Sequence, residues 1–305
     1  MDTMNIESRR RQIQVALDSE RTAEERNKLG QFATPPDLAN DMARVALAYL
    51  GEQSVRFLEP SIGSGAFYSA LLAACPRTRI ESAVGFELDP RFVEAARTLW
   101  SDLGLCVTPG DFTASSPPTA DGSRATLVLA NPPYVRHHHL ERERKALLQA
   151  RASKSLGGKV SGLTGLYVYF IILAHEWMAD GGIAAWLVPT EWMDVNYGAA
   201  LKEYLCTKVQ LLRVHRFDAA TVQFGDALVS SSIIVFRRGS PEPDCACELT
   251  VGDLTEPLRT NAVQVGELRH ALKWSHYFSA PNGHAYVAPS PATITLDDLI
   301  AVKRG

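Results

Sequence analysis

The tetrapeptide Asn131-Pro132-Pro133-Tyr134 follows directly on an apolar run, Ala125 to Ala130. A carboxamide beside a proline-stiffened turn fixes two hydrogen-bond acceptors in space, the Asn131 side-chain oxygen and the Pro132 backbone carbonyl. Such a pair can take both hydrogens of an amine whose lone pair is delocalised into an aromatic ring. The nitrogen is then drawn toward a tetrahedral shape, and its lone pair can meet an electrophilic carbon. Acceptors held in place beforehand need no reorganisation during the reaction. Tyr134 adds a flat face on which a planar base can stack. Chemistry of this kind requires no metal.

Acids and glycines upstream sit where a second ligand would be held. Glu59-Pro60-Ser61-Ile62-Gly63-Ser64-Gly65-Ala66-Phe67 falls where a strand turns into a helix, and its glycines permit close approach of a ligand to the main chain. The three-glycine dinucleotide fingerprint is absent, which argues against a nicotinamide cofactor. Gly85-Phe86-Glu87-Leu88-Asp89-Pro90 ends the next strand. There Glu87 can accept from both hydroxyls of a ribose, while Asp89 before proline reads as a helix N-cap. Gly110-Asp111-Phe112 ends the third strand in the same manner, with Asp111 able to accept from a ring amino group and Phe112 able to pack on the ring.

The elements that must position these residues alternate. Buried strands are expected at 55–58, 82–87, 105–108, 125–130 and 183–188, with helices near 66–74 and 90–101 and a long apolar helix at 166–178. A helix is also expected after Pro35-Pro36, with Leu38, Met42, Val45, Ala46 and Tyr49 on one face. Strands at 209–215 and 231–236 complete a Rossmann-like α/β fold: a seven-stranded, mostly parallel sheet with helices on both faces and an antiparallel last strand. Three regions follow: a polar helical extension at 1–29 with no fold of its own, a catalytic domain at 30–238, and a linker with short elements at 239–305.

Composition is that of a globular chain, 46% hydrophobic and 21% charged over 305 residues, with neither a membrane-length apolar run nor a secretory signal, so a cytoplasmic location is expected. Five scattered cysteines suit reduced thiols, and no metal site is expected, the His137-His138-His139 run included. The net charge of −3 does not mark a nucleic-acid binder, but residues 136–159 hold seven Lys/Arg against two acids. Phosphate binding needs only such a local positive surface.

With GQFATPP (30–36), EPSIGSGAF (59–67), GFELDP (85–90), GDF (110–112) and NPPY (131–134) in this order, the chain resembles the amino-DNA methyltransferases of bacterial restriction–modification systems, in particular their gamma-ordered adenine-N6 group. The resemblance runs from Gly30 to about Arg238. It implies S-adenosylmethionine as cofactor, with Thr34 on its carboxylate, Glu59 on its amino group, Glu87 on the ribose and Asp111 with Phe112 on the adenine. Ser61, Gly63, Gly65, Leu88 and Pro133 would complete that surface.

It further implies double-stranded DNA as partner and a flipped-out adenine as target, with Asn131, Pro132 and Tyr134 at the reacting amine. Gln223-Phe224-Gly225-Asp226 lies where the family carries an aromatic that sandwiches the base, so Phe224 is expected opposite Tyr134, with Phe217 as its competitor. Arg136, His137, Lys154 and Lys159 would meet phosphates. The final LDDLIAVKRG (296–305) resembles the join to a target-recognition region, so a further domain or a specificity subunit is expected to read the DNA sequence. NPPY also occurs in protein glutamine-N5 and RNA amino-methyltransferases. GQFATPP, the basic stretch and the long continuation beyond Tyr134 favour DNA. A non-catalytic binding subunit would show a defect in these motifs, and none is present.

Overall fold

The computed structural model of the chain describes residues 3–217 and 230–279. It begins with α1 (Thr3–Ser19) and α2 (Ala23–Leu29). The second opens on a reciprocal cap, Thr22 Oγ1 accepting from Glu25 N while the Glu25 carboxylate accepts from Thr22 N. α3 (Pro36–Leu50) starts with proline, whose missing N–H would be unpaired in a first turn, and it buries Leu38, Met42 and Ala46 on one stripe. Val45 and Tyr49 flank that stripe, half-buried.

Strands and helices then alternate: β1 (Val55–Glu59), α4 (Ala66–Ala74), β2 (Ile80–Glu87), α5 (Pro90–Trp100), β3 (Leu105–Pro109) and β4 (Ala125–Ala130). α6 (Arg142–Leu156) and α7 (Leu166–Ala174) precede β5 (Met178–Pro189), followed by α8 (Ala199–Thr207), β6 (Val209–Arg216) and β7 (Ser231–Arg238). The helix expected to reach residue 178 ends at Ala174, and a single 3₁₀ turn carries the chain to Trp177.

The strands form one sheet in the order β3-β2-β1-β4-β5-β7-β6, extended by β8 (Ala246–Gly252) and β9 (Pro257–Gln264). β1 to β5 are parallel, and β7 runs antiparallel between β5 and β6. Alternate residues of β4 feed opposite faces: Leu127 and Leu129 join the core under α3 and α4, Val128 and Ala130 the core under α7 and α8. Burial on both faces is why its sequence is an unbroken apolar run.

Two expectations need correction. The sheet has nine strands among the described residues, not seven, and residues 246–278 belong to the same body rather than to a linker. β9 is an edge strand with mostly exposed side chains, held to β8 by its backbone, so it carries no apolar signature. Beyond it, α9 (Val265–His270) and a turn at 275–278 bury Leu268, Trp274 and Phe278, with the Trp274 ring 5.2 Å from Trp192. The second correction concerns residues 1–29, which are helical as expected but docked: Ile6 and Arg10 are buried against the domain. Residues 296–305 lie outside the described residues. Among the described residues no helix is long and apolar enough to cross a membrane.

Candidate active site

Parallel strands deliver their C-terminal ends to one edge of a sheet, and the strand order reverses between β1 and β4. At that switch point an open α/β sheet leaves a crevice. Here it is a cleft of about 240 Å³, into which Glu59, Glu87, Asp111 and Asn131 project from four successive strand ends. Thr34, Ser61, Gly63, Leu88, Phe112 and Pro133 also line it, so most residues singled out from the sequence converge there. Gly65 does not. Its φ of +88° opens α4, and a Cβ at this position would lie 2.3 Å from Trp100 Nε1. This glycine admits Trp100, which donates to the Ser64 carbonyl at 2.8 Å, rather than a ligand.

The two acids nearest the glycine turn differ in their bonding. Glu87 is pre-oriented: one oxygen accepts from Gly63 N and the other from Asp89 N, each at 2.8 Å, leaving further lone pairs for a ligand. Burial nevertheless raises its pKa, against the pull of those N–H groups. Glu59 is 2% exposed, and among the described residues its Oε2 has no hydrogen-bond partner. Burial pushes its carboxyl well above the usual range; the Arg10 charge opposes that shift and the Glu87 charge adds to it. A buried carboxylate with a vacant acceptor is costly unless a cation or donor completes it. Asp89 caps α5 as expected, accepting from Arg91 N at 3.1 Å, and is held low chiefly by its bonds from Arg91.

Asp111 holds Thr113 N and Oγ1 on one oxygen, at 2.8 and 2.7 Å, and Arg144 Nη2 on the other, at 2.8 Å. To accept from a ligand amine it must share the oxygen facing Arg144. Phe112 lies in an aromatic cluster, 5.7 Å from Phe170 in a stacked arrangement and 5.4 Å from Phe86.

Asn131 is anchored by its nitrogen. Nδ2 donates to the Phe32 carbonyl at 2.9 Å and to Thr34 Oγ1 at 3.1 Å, which fixes the amide orientation. Among the described residues no donor reaches its Oδ1, the atom the chemistry requires as an acceptor. The anchor is the segment 30–34, zipped to the tetrapeptide by Tyr134 N donating to the Gly30 carbonyl at 3.0 Å. A Cβ on Gly30 would meet Tyr134 N at 2.4 Å, and the φ of +64° is itself unfavourable to other residues. Thr34, read from the resemblance as a cofactor ligand, is thus also a support for Asn131.

Other expectations fare differently. Tyr134 is 9% exposed and packs 5.5 Å from Phe32, and of the tetrapeptide it is Asn131 and Pro133 that line the cleft. Pro132 is likewise buried. Phe224 lies outside the described residues, while Phe217 stacks edge-on to His215 at 4.8 Å. In the basic stretch Arg136, Lys154 and Lys159 are exposed and His137 half-exposed, free to meet an anion. Arg144 and Arg151 instead turn inward, Arg151 donating to the Thr113 and Ser115 carbonyls. Counting charges along the sequence misses this division, and it misses Arg10, whose only sequence signal is a four-residue spacing from Gln14 in a polar helix.

Residues 120–223 match the Eco57I restriction-modification methylase family. The chain is 27% identical over 291 residues to the type II methyltransferase M.XamI of Xanthomonas campestris pv. amaranthicola, covering 91% of this chain and 51% of that protein. It is 29% identical over 214 residues to M.AccI of Acinetobacter calcoaceticus, covering 70% of this chain and 37% of the relative. The chain therefore spans about half or less of the length of these relatives. A putative class I S-adenosylmethionine-dependent methyltransferase from Listeria monocytogenes superposes with a TM-score of 0.57 at 15% identity, covering 79% of this chain and 72% of that one. The fold is accordingly that of class I methyltransferases, and the resemblance to restriction–modification methylases drawn from the motifs stands.

Proposed function

We propose that the chain carries the catalytic centre of a DNA adenine-N6 methyltransferase of a restriction–modification system, using S-adenosylmethionine as methyl donor. The observation that carries this reading is Asn131: its amide nitrogen is tied off by Phe32 and Thr34, so its oxygen is presented as an acceptor beside a cleft of carboxylates. The relatives are restriction–modification methylases, which agrees with it.

The cleft fits the cofactor. Glu59, with its unpartnered Oε2, would hold the ammonium of the methionine moiety, and Glu87 the ribose hydroxyls. Asp111 would meet the adenine amino group, with Phe112 and Leu88 against the ring. When bound, S-adenosylmethionine supplies a methyl group on a sulfonium whose leaving group is a neutral thioether. The protein's part is to present the amine. Asn131 Oδ1 and the Pro132 carbonyl accept its two hydrogens, and Phe32 lines the cleft beside them. Acceptors in a water-poor site act far more strongly than in solution. The proton shed by the methylated nitrogen can pass to water, so no strong base is needed.

A base inside a duplex cannot reach such a pocket and must be turned out of the stack. Exposed Arg136, Lys154 and Lys159 serve the DNA backbone, and Phe224 the face of the extruded base. Phosphate contacts carry no sequence information, so a target-recognition domain or a specificity subunit is the further partner this reading calls for.

The test is the product. DNA from cells expressing the protein, digested to nucleosides and analysed by mass spectrometry, should contain N6-methyladenine that is absent with the Asn131→Ala variant. Methyl label on cytosine, on RNA or on a glutamine side chain would replace the substrate assignment. Failure of the purified protein to bind S-adenosylmethionine would remove the donor.

A further inference from the structure

α1 runs along the open side of the cleft, and its anchors fall on the two loops that carry the buried carboxylates. Arg10, 2% exposed, donates from Nη1 to Ser64 Oγ at 2.9 Å, within the turn that follows Glu59. Its Nε and Nη2 hold the Glu7 carboxylate at 2.7 and 2.6 Å, and Glu7 in turn accepts from Ser69 Oγ of α4 at 2.6 Å. Just beyond the other end of α1, Arg21 pairs with Asp89 at 2.9 Å and Glu20 with Arg91 at 2.6 Å, in the loop that continues from Glu87. Between the anchors Gln14 and Asp18 line the cleft, Gln14 Nε2 donating to Asp18 Oδ2 at 2.9 Å. Arg10, Gln14 and Asp18 are spaced by four, so one face of the helix presents all three.

Hydrophobic docking, through Ile6 and the partly buried Ile13, accounts for only part of this arrangement. Among the described side chains of α1, Ile6 is the one apolar group that is buried, and the face toward the cleft is polar. A buried guanidinium is tolerated only when paired and hydrogen-bonded. Arg10 satisfies both conditions through Glu7 and Ser64, yet its charge also acts on Glu59.

We infer that α1 is a wall of the cofactor cleft, in which Arg10 positions Ser64 and Glu59 while Gln14 and Asp18 touch the bound sulfonium nucleoside. This rests on the assignment of the cleft to S-adenosylmethionine. Two charged groups bear on Glu59, Arg10 from α1 and Glu87 from β2. Burial drives Glu59 toward its neutral form, and the Arg10 charge opposes that shift, favouring the anion that an ammonium group needs.

The experiment is calorimetric titration of the intact chain with S-adenosylmethionine between about pH 5.5 and about pH 8.5, for the wild type, Arg10→Met, Arg10→Lys and Gln14→Leu. Losing the counter-charge raises a carboxyl pKa by about one unit or more, so Arg10→Met should bind about tenfold more weakly at neutral pH, with its acid limb moved up by about one unit. Arg10→Lys should restore the position of that limb, which a merely structural role would not predict. Gln14→Leu should weaken binding about threefold at every pH, the value of one ordinary hydrogen bond. Wild-type affinity and pH profile in Arg10→Met, or unchanged affinity in Gln14→Leu, would overturn the inference. If Arg10→Met does not fold, as judged by circular dichroism, the half-exposed Gln14 decides. A wild-type chain that binds no S-adenosylmethionine would strike the donor assignment and this wall with it.

Discussion

The two sides of Asn131 are built in opposite ways. On the cofactor side, Glu87 and Asp111 have both oxygens occupied by short hydrogen bonds from neighbouring N–H, hydroxyl or guanidinium groups. In the basic stretch, Arg136, Lys154 and Lys159 are exposed, with no such support among the described residues. The first region is organised before its ligand arrives. The second offers charge without geometry, as suits a polyanion whose attraction is long-ranged and screened. Arg144 and Arg151 belong by sequence to the second region but by structure to the first, since α6 is pinned through them to the 111–115 loop.

That contrast can be broken or sharpened. Asn131→Ala removes one of two fixed acceptors and should slow methyl transfer by about 10²- to 10³-fold. Its affinity for S-adenosylmethionine should stay close to wild type; near-normal turnover would end the role given to Oδ1. Gly30→Ala pushes a methyl group into the Tyr134 backbone and should lower the rate by roughly 10- to 100-fold, as small displacements of reacting groups do. A structure of that variant with the tetrapeptide unmoved would contradict the account of Gly30.

Glu87→Gln keeps the shape but loses charge, and charge-assisted hydrogen bonds are worth about 1.5–3 kcal/mol each. Cofactor affinity should fall at least about tenfold, read by calorimetry. The paired change Lys154→Ala with Lys159→Ala should leave cofactor binding alone. It should also flatten the plot of log DNA affinity against log salt by about 0.9 for each phosphate that is no longer neutralised. Arg144→Ala is the internal control: it should change cofactor affinity and leave the salt slope unaltered.

The smallest effect concerns stability. Burial raises the pKa of Glu59 in the folded chain, so the folded state favours the protonated form more than the unfolded state does. Its contribution is therefore most favourable below the unfolded value and is lost as pH rises through the folded one. Glu59→Gln mimics the neutral acid. It should melt above the wild type at about pH 8, by a few degrees for each kcal/mol recovered, and the gap should close toward about pH 4.5. An equal melting temperature throughout would mean that Arg10 already neutralises the burial cost.

The strands of the central sheet are legible in the sequence because both of their faces are covered, which demands continuous apolar residues. β9 is not, because an edge strand held by main-chain bonds needs no such residues. The convergence of Glu59, Glu87, Asp111 and Asn131 is legible too, since residues at the ends of parallel strands must share an edge. Gly65 reads as a ligand neighbour in sequence, yet its positive φ serves equally well to admit Trp100. Nothing local announces that Tyr134 packs against Phe32, a hundred or so residues earlier.

Sequence alone determined the inventory: which acids, which amide and which glycines stand at the strand ends, and in what order. Those follow from periodicity and turn chemistry, which act over a few residues. Only the tertiary structure decided how they are oriented and neutralised: that the 30–34 segment holds Asn131 by its nitrogen, that the Arg10 charge bears on Glu59, and that Arg144 faces Asp111. The reason is that side-chain orientation and the burial of charge depend on groups distant in the chain, whose approach no local pattern encodes.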